Sequence, residues 1–373
     1  MVKILITGIG SAELGGIETL FRGLFIEKSK VFEISFLSFG NPPAFYKIYK
    51  KNGYHIYVLP TRRENPLVFS HNIRCFFEKH RDFDYIWVNT SSTSIYQIQY
   101  YGKELTNAKV ITHSHGTNFE NSSGMLYHWG NRILSRLNKR KVLNNTDIFF
   151  GCSQAAGIAL FGDEYKNNLV IIRNGIDTKR FAFNLFARNI IRNELNISEN
   201  TIVFGMVGRL SPQKNVLKGI KIFKEYHALI PDSLLLMIGD GPLREKAMQK
   251  AMELNIFNNV LFLGIRKDVE KLYSALDILL MPSYFEGLPL SAVEAQTSGL
   301  FCALSGEITN EVAITDLVHF IPLCKSEKEW ARFILDTYRT PNNRDDYSIY
   351  VINAGYDRKS TIKQLETLLK NNY

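Results

Sequence analysis

Nothing in this sequence is long and apolar enough to cross a bilayer as a helix. No stretch reaches the ~18 residues that such a span needs, which fits peripheral contact with a membrane. Cysteine is scarce. The four present, Cys75, Cys152, Cys302 and Cys324, stand far apart with no CxxC pair. This argues against a disulfide framework or a zinc site and for free thiols in a reducing cytoplasm. Clusters of His, Asp and Glu at metal-ligand spacing are missing, as are short repeats and low-complexity segments. The opening MVKILITGIG has one lysine and no cleavage-site pattern, so it reads as a first strand rather than a signal peptide.

Acidic residues are the other shortage, and it is uneven. Up to Arg173 there are 21 Lys+Arg against 13 Asp+Glu; the rest has 24 against 23, so almost all of the net +9 lies in the first half. A basic half suggests an anionic partner, a membrane surface, a lipid phosphate or nucleic acid, of which a membrane surface rather than nucleic acid is expected here. Two stretches concentrate the charge among apolar residues: Phe45–Lys51, and Trp129–Leu143. In the second, Trp129, Ile133, Leu134 and Leu137 alternate with Arg132, Arg136, Lys139 and Arg140 at the spacing of an amphipathic helix. An ordinary solvated surface helix fits that pattern equally well.

What is abundant is a strand–helix alternation. KILITG (3–8), FEISFLSF (32–39), HIYVLP (55–60), YIWVN (85–89), KVITHSHG (109–116), DIFFGCS (147–153) and NLVIIRNG (168–175) read as buried strands. A second series follows: TIVFGMVGRL (201–210), DSLLLMIGDGP (232–242), NNVLFLG (258–264), ALDILLMPS (275–283) and GLFCALSG (299–306). Continuous Val/Ile/Leu runs mark parallel strands covered on both faces. The expectation is an α/β protein of two Rossmann-like doubly wound domains that take ligands at the carboxyl ends of their strands. The domains are 1–175 and 201–355, with an irregular connector at 176–200 and a C-terminal helix within 356–373 returning to the first domain.

Several strand ends carry chemistry. Gly8-Ile9-Gly10 through Gly15-Gly16 can bring backbone N–H groups to a phosphate, but Glu13 stands where a dinucleotide fingerprint needs its last glycine. Arg209 and Lys214, in Gly208-Arg209-Leu210-Ser211-Pro212-Gln213-Lys214-Asn215, offer a fork and a point charge suited to a diphosphate. Asp240-Gly241 follows another strand, and Gly264-Ile265-Arg266-Lys267-Asp268-Val269 is a loop that can read a base edge. Glu286-Gly287-Leu288-Pro289-Leu290 leads into a helix holding Glu294. A helix start favours a diphosphate, and a carboxylate can accept two hydroxyls of a diol. Asp82-Phe83-Asp84 spells a metal-binding DxD, yet it lies on the entry side of a strand and reads as a turn.

In this order, GRLxxQKN, IGDGPL, LGxRxDV and EGLPLSAVEAQ resemble the nucleotide-binding half of the family 4 glycosyltransferases of the GT-B fold, including the spacing of Glu286 and Glu294. The likeness is dense over about 200–300. It is loose in the first half, through Gly15-Gly16-x-Glu18 and the His-Gly after the strand at 109. The resemblance implies metal-independent transfer, with retention, from a nucleoside-diphosphate sugar, most simply a UDP-sugar, and no cofactor. Arg209 and Lys214 would hold the diphosphate, Glu294 the ribose and Glu286 the transferred sugar. Backbone at Gly287, Leu288, Pro289 and Leu290 would bind sugar and phosphate, and Asp240, Gly241, Arg266 and Val269 would lie at the base. Gly15 and Gly16 would close over the phosphates from the first domain across a cleft, with the 176–200 connector as a hinge. The catalytic cleft histidine would be His115, with His113 its competitor because the two share a strand face; Asn118 and Glu18 would lie near the acceptor. The expected acceptor is a lipid-linked saccharide of bacterial surface polysaccharide synthesis, met at the inner face of the membrane. A sugar-nucleotide 2-epimerase shares the fold but lacks the paired glutamates.

Overall fold

The computed structural model describes residues 1–11, 16–25, 29–116, 125–341 and 343–370, without the side chains of 16, 19 and 125–129. It divides into two units, Met1–Gly175 with Arg358–Tyr373, and Ile176–Asp357.

The first unit is built on seven strands: Val2–Thr7 (β1), Phe32–Phe39 (β2), His55–Leu59 (β3), Tyr85–Thr90 (β4), Lys109–Ser114 (β5), Ile148–Gly151 (β6) and Leu169–Ile171 (β7). They form one parallel sheet in the order β3-β2-β1-β4-β5-β6-β7. The strand order reverses between β1 and β4, the position where doubly wound sheets open a ligand crevice. Alternate residues feed two cores. Ile4, Ile6, Trp87 and Ile111 pack with Phe21 and Leu24 on one face, whereas Leu5, Ile86 and Val88 pack with Phe69, Ile73 and Phe77 on the other. Leu365 and Leu369 of the helix Arg358–Lys370 complete the first of these cores. That helix is tied to β7 and the residues after it through Gln364 Nε2 to the Ile171 carbonyl (2.8 Å) and Thr361 Oγ1 to the Arg173 carbonyl (3.0 Å).

The second unit holds Ile202–Val207 (β8), Ser233–Ile238 (β9), Val260–Gly264 (β10), Ile278–Met281 (β11), Phe301–Ser305 (β12) and Val318–Ile321 (β13). They are parallel in the order β10-β9-β8-β11-β12-β13, with the reversal between β8 and β11. The edge strand β13 is four residues long and has no counterpart in the sequence reading.

Residues 176–200 differ from the irregular connector expected of them. They form the helices Thr178–Phe181 and Leu185–Glu194 and belong to the second unit. The reason is a buried charge on the second of these helices. Leu185 and Phe186 are exposed, while Arg192 is buried and donates to Asp277 (2.7 Å) and to the carbonyls of Ser198 and Thr201. Arg188 reaches the other oxygen of Asp277 (2.9 Å). Hydrogen-bonded charge docks this segment together with the buried Ala187 and Ile191.

Candidate functional site

The carboxyl ends of β8, β9 and β10 meet without side chains between them. Gly208 and Gly239 adopt φ of 132° and 133°, and a Cβ on Gly239 would lie 2.0 Å from the Gly208 carbonyl oxygen. Only glycine allows that approach. Backbone bonds from Gly208 N to Ile238 O (2.9 Å), Gly239 N to Gly264 O (2.8 Å) and Leu210 N to Asp240 O (2.9 Å) turn the three strand ends into one shelf. Arg209 and Asp240 stand exposed on it, the Asp240 carboxylate accepting from the N–H of Gly241 (2.7 Å). Arg266 is engaged elsewhere. Its guanidinium forks onto both oxygens of Asp268 (2.8 Å each) and reaches Glu194 (2.9 Å), and these partners push its pKa further up. Val269 opens the helix Val269–Ala275.

Beside the shelf, two loops are stitched together. Tyr284 N donates to the Gln213 carbonyl and Gln213 Nε2 to the Phe285 carbonyl, both at 2.9 Å. This brings Lys214 Nζ to 2.7 Å from Glu286 Oε1, with both side chains largely buried. Leu288 and Pro289 are buried at the start of the helix Leu290–Thr297, whose N-cap is Pro289 with φ −73°; Gly287 and Leu290 are half-buried. The two joined loops therefore place a cation beside a carboxylate that lies just ahead of a helix start.

Glu294, half-buried on that helix, is the most perturbed carboxylate. Burial pushes its pKa up to about 7. The Tyr273 hydroxyl, which donates to Oε2 (2.9 Å), opposes this, as do Arg180 and Lys214, while Glu270 adds to it. Arg180 is held by Glu270 (2.7 Å) and the Lys267 carbonyl (3.2 Å). Tyr273, Arg180 and Glu270 were not found from sequence. Tyr273 reads as a core aromatic, and Arg180 lies 114 residues before Glu294 in the segment taken for a connector.

In the first unit, His113 and His115 follow one another on the same face, with ring centroids 3.9 Å apart. His113 is sealed between Trp87 and Phe150; His115 is the more outward of the two. Burial keeps both neutral, His113 well below its ordinary pKa and His115 at about 3. Their tautomers follow from their partners. Trp87 Nε1 donates to His113 Nδ1 (3.3 Å), so His113 carries its proton on Nε2. Asn89 Nδ2 donates to the Thr7 carbonyl (2.9 Å), so Asn89 Oδ1 accepts from His115 Nε2 (2.8 Å) and His115 Nδ1 is bare. His113 Nε2 and His115 Nδ1, a donor and an acceptor, have no hydrogen-bond partner among the described residues. Glu18 is buried and takes the N–H of Gly10 (2.7 Å), fastening the loop after β1 to the helix Gly16–Phe25. Gly16 begins that helix; Gly15 and Asn118 lie outside the described residues. Asp82 and Asp84 sit at the amino end of the sheet, Asp82 paired with the Lys3 ammonium and Asp84 accepting from Lys3 N (2.7 Å). No group of three metal-ligating side chains occurs among the described residues.

Known proteins resemble this chain in sequence and in fold. Residues 187–353 match the family described as glycosyl transferases group 1. A Bacillus subtilis protein named as the glycosyltransferase EpsF is 30% identical over 330 residues, covering 86% of this chain and 84% of that protein. The UDP-Gal:α-D-GlcNAc-diphosphoundecaprenol α-1,3-galactosyltransferase of Escherichia coli is 30% identical over 236 residues, 61% of this chain and 59% of that one. The solved structure of HepE from Anabaena in complex with UDP superposes with a TM-score of 0.77 at 16% identity, covering 100% of both chains. That likeness concerns the fold. Taken with the EpsF identity and the two doubly wound parallel sheets, these matches assign the chain to the group 1 glycosyl transferases, enzymes of the GT-B fold.

Proposed function

We propose that this glycosyltransferase moves a sugar, with retention and without a metal ion or other cofactor, from a UDP-sugar to a lipid-linked saccharide during synthesis of a bacterial surface polysaccharide. It would act in the cytoplasm at the inner face of the membrane. The observation that carries the reading is the Lys214–Glu286 pair, 2.7 Å apart, just ahead of the helix that bears Glu294. Lys214, Arg209 and the N–H groups at that helix start stabilise the departing diphosphate, which is where negative charge develops. Glu294 accepts the ribose diol, and Glu286 meets the transferred sugar. The acceptor hydroxyl attacks the anomeric carbon on the face from which the diphosphate leaves. The bond from that carbon to the phosphate oxygen breaks, and the hydroxyl proton passes to the departing phosphate oxygen. The donor and acceptor classes are supported by the E. coli relative, whose name states a UDP-sugar donor and a diphosphoundecaprenol acceptor. Solved fold neighbours bound to UDP and UDP-glucose add to the case for the donor.

The test is a panel of UDP- and GDP-sugars incubated with EDTA, with and without an undecaprenyl-diphosphate-linked saccharide. Nucleotide release and the anomeric configuration of the product are read together. Acceptor-dependent UDP release with retained configuration is expected. An inverted product, or activity lost to EDTA, would overturn the mechanism; preference for a GDP-sugar or indifference to the lipid would overturn the substrates.

A further inference from the structure

We propose that the helix Met125–Asn144 docks the protein on an anionic lipid bilayer through an outward apolar row edged by arginines. This deepens the proposed function by naming the surface that meets a lipid-borne acceptor, and it rests on that reading only for its purpose.

The observation is a helix turned inside out. Its inward stripe is Ser135, Asn138 and Val142, all buried. Polar bonds hold that stripe. Ser135 Oγ lies 3.1 Å from Ser92 Oγ, and the Ser135 carbonyl accepts from Thr93 Oγ1 (2.7 Å). Asn138 donates to the Ser94 carbonyl (3.1 Å), and Arg62 donates to Asn131 (2.9 Å). The apolar residues point away: Ile133 is 54% exposed, Leu134 38% and Leu137 67%. Surface helices of globular proteins ordinarily do the reverse. With four residues per step, Ile133 and Leu137 make one row, and Arg132, Arg136 and Arg140, all exposed, make the adjacent one. The helix has no Asp or Glu along its length.

That combination selects the occupant. A second copy of the same face would bring arginine rows together with no acid on the helix to pair them. Apolar side chains beside cations fit the boundary between acyl chains and anionic headgroups. The other basic stretch lacks this design: on the helix Tyr46–Lys51, Tyr49 is buried and stacks on Phe36 at 4.3 Å, leaving Lys47, Lys50 and Lys51 as a solvated rim.

The test sediments the full chain with vesicles of phosphatidylcholine, alone or mixed with phosphatidylglycerol. Three triple variants are compared: Arg132→Ala/Arg136→Ala/Arg140→Ala, Ile133→Gln/Leu134→Gln/Leu137→Gln, and Lys47→Ala/Lys50→Ala/Lys51→Ala. Binding should require the anionic lipid. The arginine variant should lose on the order of 100-fold in affinity and the apolar variant about tenfold or more, with the lysine variant close to wild type. Wild-type protein that ignores anionic lipid, helix variants that bind unchanged, or a lysine variant that loses as much as the arginine one would each overturn the proposal. So would an apolar variant that only turns a dimer into a monomer, or one that only loses an acidic protein partner. Sugar transfer to a water-soluble acceptor, measured on the same variants, reports the proposed function separately.

Discussion

Lowering the pH from about 8 to about 5.5 should weaken UDP-glucose binding by roughly 30-fold if the carboxylate of Glu294 receives the ribose hydroxyls. The pKa of that group sits at about 7 in the unliganded protein because burial favours its neutral form. If only the ionised form binds, affinity falls about tenfold, or about 1.4 kcal/mol, for each pH unit below that value. Both phosphates of UDP-glucose stay ionised throughout, and His113 and His115 are held neutral, so the slope belongs to the carboxylate. Two variants dissect it. Glu294→Gln should flatten the profile and weaken binding at high pH by roughly 10- to 100-fold, the worth of a hydrogen bond or two to a charged acceptor. Tyr273→Phe removes the hydroxyl that favours the ionised form, so its midpoint should move to higher pH. A variant that merely loosened the fold would scale the curve without moving its midpoint. Stability runs the opposite way. A raised carboxyl pKa contributes stability below the ordinary value of 4.5 and loses it as pH rises through about 7. The unliganded protein is therefore relieved of this cost in acid, and the thermal shift given by UDP-glucose should be largest in mild alkali. Isothermal titration across the range decides. A flat wild-type profile, or an unchanged slope in Glu294→Gln, refutes the assignment.

Three further outcomes follow from the same geometry. Lys214→Ala removes a cation from the leaving diphosphate and strands Glu286, so kcat should fall by roughly 100- to 1000-fold in a UDP-release assay, with Lys214→Arg in between. Asp277→Ala leaves the buried Arg192 and the half-buried Arg188 without their acid, and urea unfolding should show a loss of about 3–5 kcal/mol; a loss under 1 kcal/mol would mean that the pair is solvated. Asn89→Asp puts a carboxylate 2.8 Å from His115 Nε2, so the His115 pKa should climb from about 3 and the imidazolium should persist to higher pH in NMR titration; a ring still neutral at pH 5 would contradict the tautomer reading.

The two strand series, the parallel sheets and the stretch around Glu286 and Glu294 were legible in the sequence because each depends on neighbours. A buried parallel strand announces itself by four or five adjacent aliphatics, as in β9 and β11, and a strand–loop–helix start by its glycines and proline. What escaped depends on distant partners. Nothing near Tyr273 says that its hydroxyl reaches Glu294, and nothing near Arg180 says that Glu270 holds it. The segment 176–200 misled because part of its anchor is a charge with a distant partner: Ile191 is buried as periodicity expects, but Arg192 beside it is buried too, against Asp277. An inversion hides in Met125–Asn144, whose sequence pattern is amphipathic but does not say which side faces out. His113 and His115 could not be ranked by strand alternation, since both point the same way; only Trp87 and Asn89 tell them apart.

The return of the helix Arg358–Lys370 to the first sheet has a consequence for synthesis. Leu365 and Leu369 belong to the same core as Ile4 and Trp87, yet they leave the ribosome after the whole of Ile176–Asp357. The first unit, though begun earliest, must wait with an open apolar face while the second is made and can finish. The later unit is thus the earlier to mature, and the nascent first sheet is the part that needs shelter. Cutting the chain after Asp357 should leave a folded second unit joined to a first unit that aggregates.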